Sequence, residues 1–314
     1  MRKRIEWIDI AKAIGIVLVV YGHVILGVHD AGLWGDSLNY ELQHSFVYTT
    51  HMPLFFFLSG IFAIKWVTRS PQKAVWQKIK TLLIPYILWG FIQAGIMQVF
   101  SSSTNNGQGL INALKLPITP YAQFWFLYDL FFVFILYYVL INGLKLSFKW
   151  ILLIGTVLFL VSPLFKYWEL WRIFYHFIFF ILGTQMLKLG EWINKINPLI
   201  SLLVFIVVNL LYFYIPVSFV ISNLISFFAA LSGIVFIISI SRYLNSSIIL
   251  YIGRNSIVIY LLHLIFASGS RILLLKLGVD NLLIQIIFGM FMGLVGPIIV
   301  LICSKYLRID KILF

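Results

Sequence analysis

Apolar residues in this chain form long runs that are separated by short polar segments. An α-helix needs about 20 apolar residues to cross about 30 Å of hydrocarbon. The pattern therefore predicts an all-α integral membrane protein, built as a bundle of about ten transmembrane helices, of which window 149–165 is the weakest. The predicted windows are 8–28, 46–66, 80–100, 122–142, 149–165, 171–188, 198–215, 218–240, 248–268 and 282–304.

Composition excludes a water-soluble fold. The chain is 62% hydrophobic and 11% charged, whereas soluble domains are about 45–50% apolar and about 25% charged. We expect residues 1–314 to form one transmembrane domain without a separate soluble domain. Asp9 and Lys12 interrupt the first apolar run, so we expect a retained helix there rather than a cleaved signal peptide.

The net charge of +13 has a simple explanation in a membrane protein. Lys and Arg fall mostly into the loops that would be cytoplasmic if the N-terminus is inside, and the excess alternates along the chain. Cytoplasmic loops of membrane proteins carry such an excess. We therefore predict a multi-pass plasma-membrane protein with both termini in the cytoplasm. No basic stripe interleaved with aromatic residues favours nucleic acid.

Two ionisable residues in the first predicted helix are candidates for function, because charged groups inside a bilayer are costly. Lys12 and His23 are eleven residues apart. That spacing turns the helix by ~1100°, about 20° past three full turns, and lifts His23 ~16 Å above Lys12. Both side chains are therefore predicted on one face. Snorkelling of Lys12 and a core role for His23 are the alternatives.

Depth counting places further polar residues in the predicted outer half of the membrane. A histidine cluster with a carboxylate is typical of an acid/base site. A metal site is the alternative, but no HxxxH or HxH pair favours one, and none is predicted. His29 and His44 are expected to be solvated in the first outer loop. The outer-half residues are His23, His51, Asp129, His176 and His263.

A basic cluster precedes the third predicted helix. Lys78 and Lys80 lie at its inner end, where ordinary positive-inside charge is one interpretation. Together with Lys12, these ammonium groups also suit binding of phosphates.

Several motifs, taken together and in order, resemble the acyltransferase-3 family of membrane O-acyltransferases. Lys12-X10-His23 is similar to the family's Arg/Lys-X10-His signature, and Glu6-Trp7 before it resembles the fucose 4-O-acetylase-like and exopolysaccharide acyltransferase subgroup. Lys replaces Arg in the basic stretch, and its spacing is looser than the family's. The other matching segments are Pro53-Leu-Phe-Phe-Phe-Leu-Ser-Gly60, Lys78-Ile-Lys80 with Leu83-Ile-Pro85-Tyr86, Phe124-Trp125-Phe126-Leu127 and Gly253-Arg-Asn-Ser256-Ile-Val-Ile-Tyr260-Leu-Leu-His263.

The resemblance implies transfer of an acyl group, with acetyl expected, from cytoplasmic acyl-CoA to a hydroxyl of a cell-surface or exported carbohydrate. Acetyl-CoA would be a co-substrate, and no bound cofactor is expected. The partners would be acyl-CoA, a polysaccharide or lipid-linked glycan, and membrane lipid, while homo-oligomerisation is left open. A transporter or flippase for glycan intermediates, without bond making, is the alternative.

Roles for single residues follow from the resemblance and from their chemistry. His23 is expected to act as general base or acyl relay, and Asp129 is placed with it as a catalytic candidate. Donor binding is assigned to Lys12, Lys78 and Lys80. Acceptor binding or support of the site is assigned to His51, Trp125, Tyr260 and His263.

Overall fold

The computed structural model describes residues 5–99, 113–165, 167–187, 195–215 and 218–314. These stretches consist of α-helices joined by turns, short loops and brief 3₁₀ or π segments, and they contain no β-strand. The α-helices are α1 Glu6–Asp30, α2 Ser37–Trp66, α3 Pro71–Lys78, α4 Ile84–Val99, α5 Trp125–Tyr138, α6 Phe148–Val161, α7 Leu170–Thr184, α8 Pro198–Tyr214, α9 Phe219–Ser241, α10 Ser247–Arg254, α11 Ser256–Lys276, α12 Leu282–Tyr306 and α13 Asp310–Leu313.

Length and composition make this an all-α membrane protein, as predicted. Within the described stretches, seven helical segments are long and apolar enough to cross a membrane. Three shorter apolar helices coincide with predicted windows 149–165, 171–188 and 198–215. A count of ten crossings and the cytoplasmic location of both termini stay predictions. The seven segments are Glu6–Asp30, Ser37–Trp66, Pro71–Val99, Ala122–Gly143, Ile221–Ser241, Ser256–Lys276 and Leu282–Tyr306.

The helices differ from the predicted windows in two regions, at α2 and at α10 with α11. Helix α2 begins at Ser37 rather than at residue 46, so His44 belongs to a helix and not to a loop. Polar residues at this end of α2 hid the helix from a search for apolar runs. The predicted window 248–268 is divided at Asn255 into α10 and α11. Helix α11 then continues to Lys276, so Arg271 is helical rather than part of a loop.

The chain groups into two compact units. Unit 1 comprises Met1–His51, Leu88–Leu116 and Leu244–Phe314, and unit 2 comprises Met52–Ile87 and Pro117–Tyr243. Within unit 1, α1 packs against α10, α11 and α12, and α11 packs along α12. Within unit 2, α6 packs against α7, α8 against α9, and α5 against α7. A single domain over residues 1–314 stays a prediction.

Close approach of backbones holds α10 against α1 in unit 1. A Cβ atom at Gly253 would overlap the backbone carbonyl of Asp9. Small residues at helix contacts allow this spacing, and van der Waals packing is a main source of stability between helices in lipid. Gly253 therefore fixes the position of α10 beside the part of α1 that carries Asp9 and Lys12.

Candidate functional site

His23 lies on α1 with its ring held by the helix backbone. Its Nδ1 lies 3.0 Å from the carbonyl oxygen of Val19, one turn earlier. Because a carbonyl oxygen can only accept a hydrogen bond, Nδ1 carries the proton of the neutral ring. The other nitrogen, Nε2, then has a free lone pair. His23 is therefore arranged as a base.

Helix α11 brings a second histidine to His23. The rings of His23 and His263 lie edge to face, with centroids 4.9 Å apart. His263 is fully buried, and its Nδ1 lies 2.7 Å from the carbonyl oxygen of Tyr260. The Tyr260 ring lies beside it, with centroids 6.2 Å apart. Predicted residues from two distant parts of the sequence thus form one cluster.

His263 has an unpaired hydrogen-bond acceptor inside the protein. Its Nδ1 donates to the backbone, so Nε2 is the acceptor nitrogen. That nitrogen is buried and has no hydrogen-bond partner among the described residues. A buried polar atom without a partner costs free energy, and a catalytic role or a bound donor is one explanation for its presence. The pair His23–His263 therefore favours a donor group such as a hydroxyl.

Helix α2 adds His51 and two residues that sequence reasoning missed. His51 is buried, with Nδ1 2.6 Å from the carbonyl oxygen of Val47. Its ring meets Tyr48 edge to face at 4.9 Å, and Tyr48 lies 6.4 Å from the His23 ring. His44 stacks on Tyr48 at 3.9 Å, so the expectation of a solvated His44 is wrong.

The sequence of α2 contains a pattern that could have indicated this cluster, namely rings that recur at helical spacing. Tyr40, His44, Tyr48 and His51 follow one another at spacings of four, four and three residues, which places them on one face of a helix. His29 stacks on Tyr40 at 3.8 Å, while its side chain remains 39% exposed. The row of rings thus extends the cluster along α2.

Lys12 lies in a small ionic group in unit 1. Its Nζ is 4.0 Å from Oδ1 of Asp9, and its side chain is 30% exposed. Oδ2 of Asp9 is 3.4 Å from Nε of Arg254 on α10. Two cations therefore share one carboxylate, which leaves the group with a net positive charge. Asp9 and Arg254 were not among the site residues predicted from the sequence.

Asp129 and Trp125 lie in unit 2, one helical turn apart at the start of α5. Asp129 is fully buried, and neither of its carboxylate oxygens has a hydrogen-bond partner among the described residues. The Arg172 guanidinium lies 4.8 Å from the centre of the Trp125 ring and is ion-paired with Glu169. The predicted cooperation of Asp129 with His23 joins residues of different units and stays a prediction.

Lys78 and Lys80 also belong to unit 2, where aromatic rings surround them. Nζ of Lys78 lies 3.1 Å from the centre of the Phe134 ring and 5.4 Å from that of Trp66. Nζ of Lys80 lies 5.3 Å from the centre of the exposed Trp76 ring. Cation–π contacts of this kind hold an ammonium group without neutralising it. The ammonium group of Lys80, whose side chain is exposed, remains able to attract an anion.

The histidine cluster does not have the geometry of a metal centre. In the part of the chain that the structure describes, no group of three His, Cys, Asp or Glu side chains could hold a metal ion. The arrangement instead provides a base, a neighbouring orphaned acceptor and aromatic rings. That set suits proton removal from a hydroxyl.

Comparison with known proteins agrees with this chemistry. A family model described as an acyltransferase domain, Acyl_transf_3, matches residues 5–302. Nodulation protein NolL of Sinorhizobium fredii (strain NBRC 101917 / NGR234) is 31% identical over 148 residues. The matched segment is 46% of this chain and 38% of NolL, so the similarity spans less than half of that protein. No solved structure matches the chain. The family match runs from the start of α1 into the last turns of α12, and the chain therefore belongs to the acyltransferase-3 family of membrane acyltransferases.

Proposed function

We propose that this protein is an O-acyltransferase that moves an acetyl group from cytoplasmic acetyl-CoA to a hydroxyl of a cell-surface or exported carbohydrate. The observation that carries the proposal is the free lone pair on Nε2 of His23, beside the orphaned Nε2 of His263. A sugar hydroxyl needs a base to become a good nucleophile at neutral pH, and an imidazole is suited to that task.

In the proposed reaction, His23 removes the proton of the acceptor hydroxyl as its oxygen attacks the thioester carbonyl carbon. The new C–O ester bond forms and the C–S bond breaks. The proton passes from His23 to the sulfur of the leaving coenzyme A, so that the thiol is released. His51 and His263 support His23, while Tyr260 and Trp125 offer rings for stacking against a sugar.

Binding of the donor is assigned to the positively charged groups. Coenzyme A carries several phosphate charges, and ammonium groups hold phosphates as point charges. Lys12, with Arg254 beside it, keeps a net positive charge despite Asp9. Lys78 and Lys80 are proposed as further phosphate ligands. The proposed location is the plasma membrane, with these cations toward the cytoplasm, as expected for positive-inside topology.

The test is release of free thiol by the purified protein in detergent or liposomes. Protein is mixed with acetyl-CoA and a panel of oligosaccharides, and the products are examined by mass spectrometry for acetyl esters. The proposal expects thiol release that depends on acceptor and a matching gain of one acetyl group. A transporter or flippase releases no thiol under any of these conditions, and that result would overturn the proposal.

A further inference from the structure

A small polar cavity lies beside His23, between three helices of unit 1. Its volume of about 10 Å³ is close to the space that one water molecule needs. Helix α1 contributes His23, helix α11 contributes Ser268 and Arg271, and helix α12 contributes Gln285. The cavity therefore has room for a group about the size of a water molecule or a hydroxyl.

Arg271 brings a positive charge to this cavity without forming an ion pair among the described residues. Its side chain is only 8% exposed, and among the described residues no carboxylate forms an ion pair with it. Asp30 attracts it from a longer distance. A buried guanidinium is costly unless it is compensated, so its presence indicates an electron-rich ligand.

Gly27 explains how Arg271 comes so close to α1. A Cβ atom at Gly27 would overlap Nη1 of Arg271. Gly27 follows His23 by one helical turn, so both residues lie on the same side of α1. The absence of a side chain at Gly27 therefore lets the guanidinium lie within one turn of the imidazole.

Gln285 contributes a second orphaned acceptor. The side chain is 1% exposed, and its Nε2 donates to the carbonyl oxygen of Val279 at 2.7 Å. Its Oε1 is buried without a hydrogen-bond partner in the described part of the chain. Because Nε2 is held by the backbone, the amide orientation is fixed and Oε1 remains an acceptor.

We propose that this cavity binds the reacting hydroxyl of the acceptor, and that Arg271 is a catalytic residue that stabilises the negative charge developing on its oxygen. The cavity offers acceptors for the hydroxyl proton, at His23 and Gln285, and donors for its lone pairs, at Arg271. That combination matches a hydroxyl. The inference rests on the proposed acyl transfer and names the group that activates its nucleophile.

Charge balance supports this role during the reaction. As Nε2 of His23 takes the proton, the acceptor oxygen gains negative charge, which the nearby guanidinium offsets. Once the oxygen has bonded to the acyl carbon, that charge is gone and the product is held less tightly. Interactions that are stronger in the transition state than in the ground state raise kcat rather than lower KM.

The first experiment replaces Arg271 and measures thiol release at saturating substrates. Arg271→Gln is expected to lower kcat about 100-fold with a smaller change in the acceptor KM, as for loss of one transition-state donor. Arg271→Lys is expected to keep more activity than Arg271→Gln. Arg271→Ala is expected to regain activity when guanidinium ions are added at concentrations that leave the wild type folded. A purely structural Arg271 would give no such rescue.

The second experiment moves the guanidinium without removing it. Gly27→Ala inserts a methyl group where Nη1 lies and is expected to lower kcat. Gly269→Ala on α11 is the matched control, because no atom lies within 4 Å of the position that its new methyl group would take, and activity should be kept. Thermal unfolding of each variant shows whether the bundle is intact.

The outcomes separate the two proposals. A wild type that releases no thiol with any acceptor would remove the proposed acyl transfer itself. A wild type that is active, with Arg271→Gln and Gly27→Ala that are folded and retain its kcat, would overturn the role of Arg271 and leave the acyl transfer in place.

Discussion

At the scale of the residue, the chemistry depends on which ring nitrogen of His23 carries a proton. The Val19 carbonyl fixes that proton on Nδ1, so Nε2 is the nitrogen that acts as base in the proposed reaction. His51, His176 and His263 make the same kind of contact with a carbonyl of their own helix. The contact alone is thus not a mark of function. The neighbours of His23, an orphaned acceptor and a polar cavity, distinguish it.

The first prediction compares His23 with a histidine in a similar setting. His23→Gln should lower the rate of acyl transfer by about 10²- to 10⁴-fold, because general base catalysis contributes that much. His176→Gln removes a histidine that also contacts its own helix backbone and should retain activity. Acetyl-ester formation in cells, at matched protein levels, measures both. Equal activity of the two variants would exclude His23 as the base.

The second prediction concerns donor affinity. Lys12→Glu reverses a charge that lies 4.0 Å from Asp9, so two carboxylates would then face each other and repel a phosphate. The KM for acetyl-CoA should rise about tenfold or more, in keeping with the loss of a charge-assisted contact. Lys12→Arg should keep a KM close to that of the wild type. A donor titration that is the same for Glu and Lys at this position would contradict the phosphate role.

Some of these residues could be predicted from the sequence and others could not, for a physical reason. Helical spacing is local, so it could relate Lys12 to His23 before any fold was known. The partners of each side chain are not local: His263 is 240 residues from His23, and Arg254 is 245 from Asp9. Arg271 was missed because the predicted window ended before it, which placed it in a loop.

At the scale of the element, α10 and α11 show how a short break between two helices positions functional side chains. Asn255 ends α10 and precedes α11, with φ −108° and ψ 17°, outside ordinary helical geometry. The break lets α10 follow α1 closely at Gly253 while α11 carries His263 to His23. A hydropathy window reads both helices as one span, since the apolar residues on either side of Arg254 and Asn255 dominate its average.

The third prediction tests the contact between α10 and α1. Gly253→Ala places a methyl group against the backbone of Asp9, so it should lower the free energy of unfolding by about 1–3 kcal/mol, as overpacking does. Gly95→Ala on α4 meets no atom within 4 Å and should leave the stability unchanged or slightly higher. Thermal unfolding of the purified variants measures both. An equal effect of the two substitutions would refute the close-contact interpretation.

At the scale of the whole molecule, the all-α membrane class was predictable because composition and the length of apolar runs are global properties. The family follows from a match to residues 5–302. The grouping into two units was not predictable, because each unit is assembled from separate stretches of sequence. Only tertiary packing decides which stretches join.

The fourth prediction concerns the sides of the membrane. If the termini and the basic groups face the cytoplasm, liposomes with oriented protein should acetylate an enclosed glycan only when acetyl-CoA is on the side of the N-terminus. Radiolabelled acetyl groups would be counted on the trapped acceptor. Equal transfer with acetyl-CoA on the glycan's own side would contradict the proposed orientation.

The bond between His23 and its own helix has a consequence for repeated turnover. In many enzymes a carboxylate holds the catalytic imidazole in one tautomer and orientation and stabilises the imidazolium that forms. Here an uncharged peptide oxygen holds Nδ1, and it cannot be titrated or displaced without unwinding α1. In the proposed reaction, the Nε2 lone pair of His23 therefore returns to the same position after each proton has left, without an acidic partner.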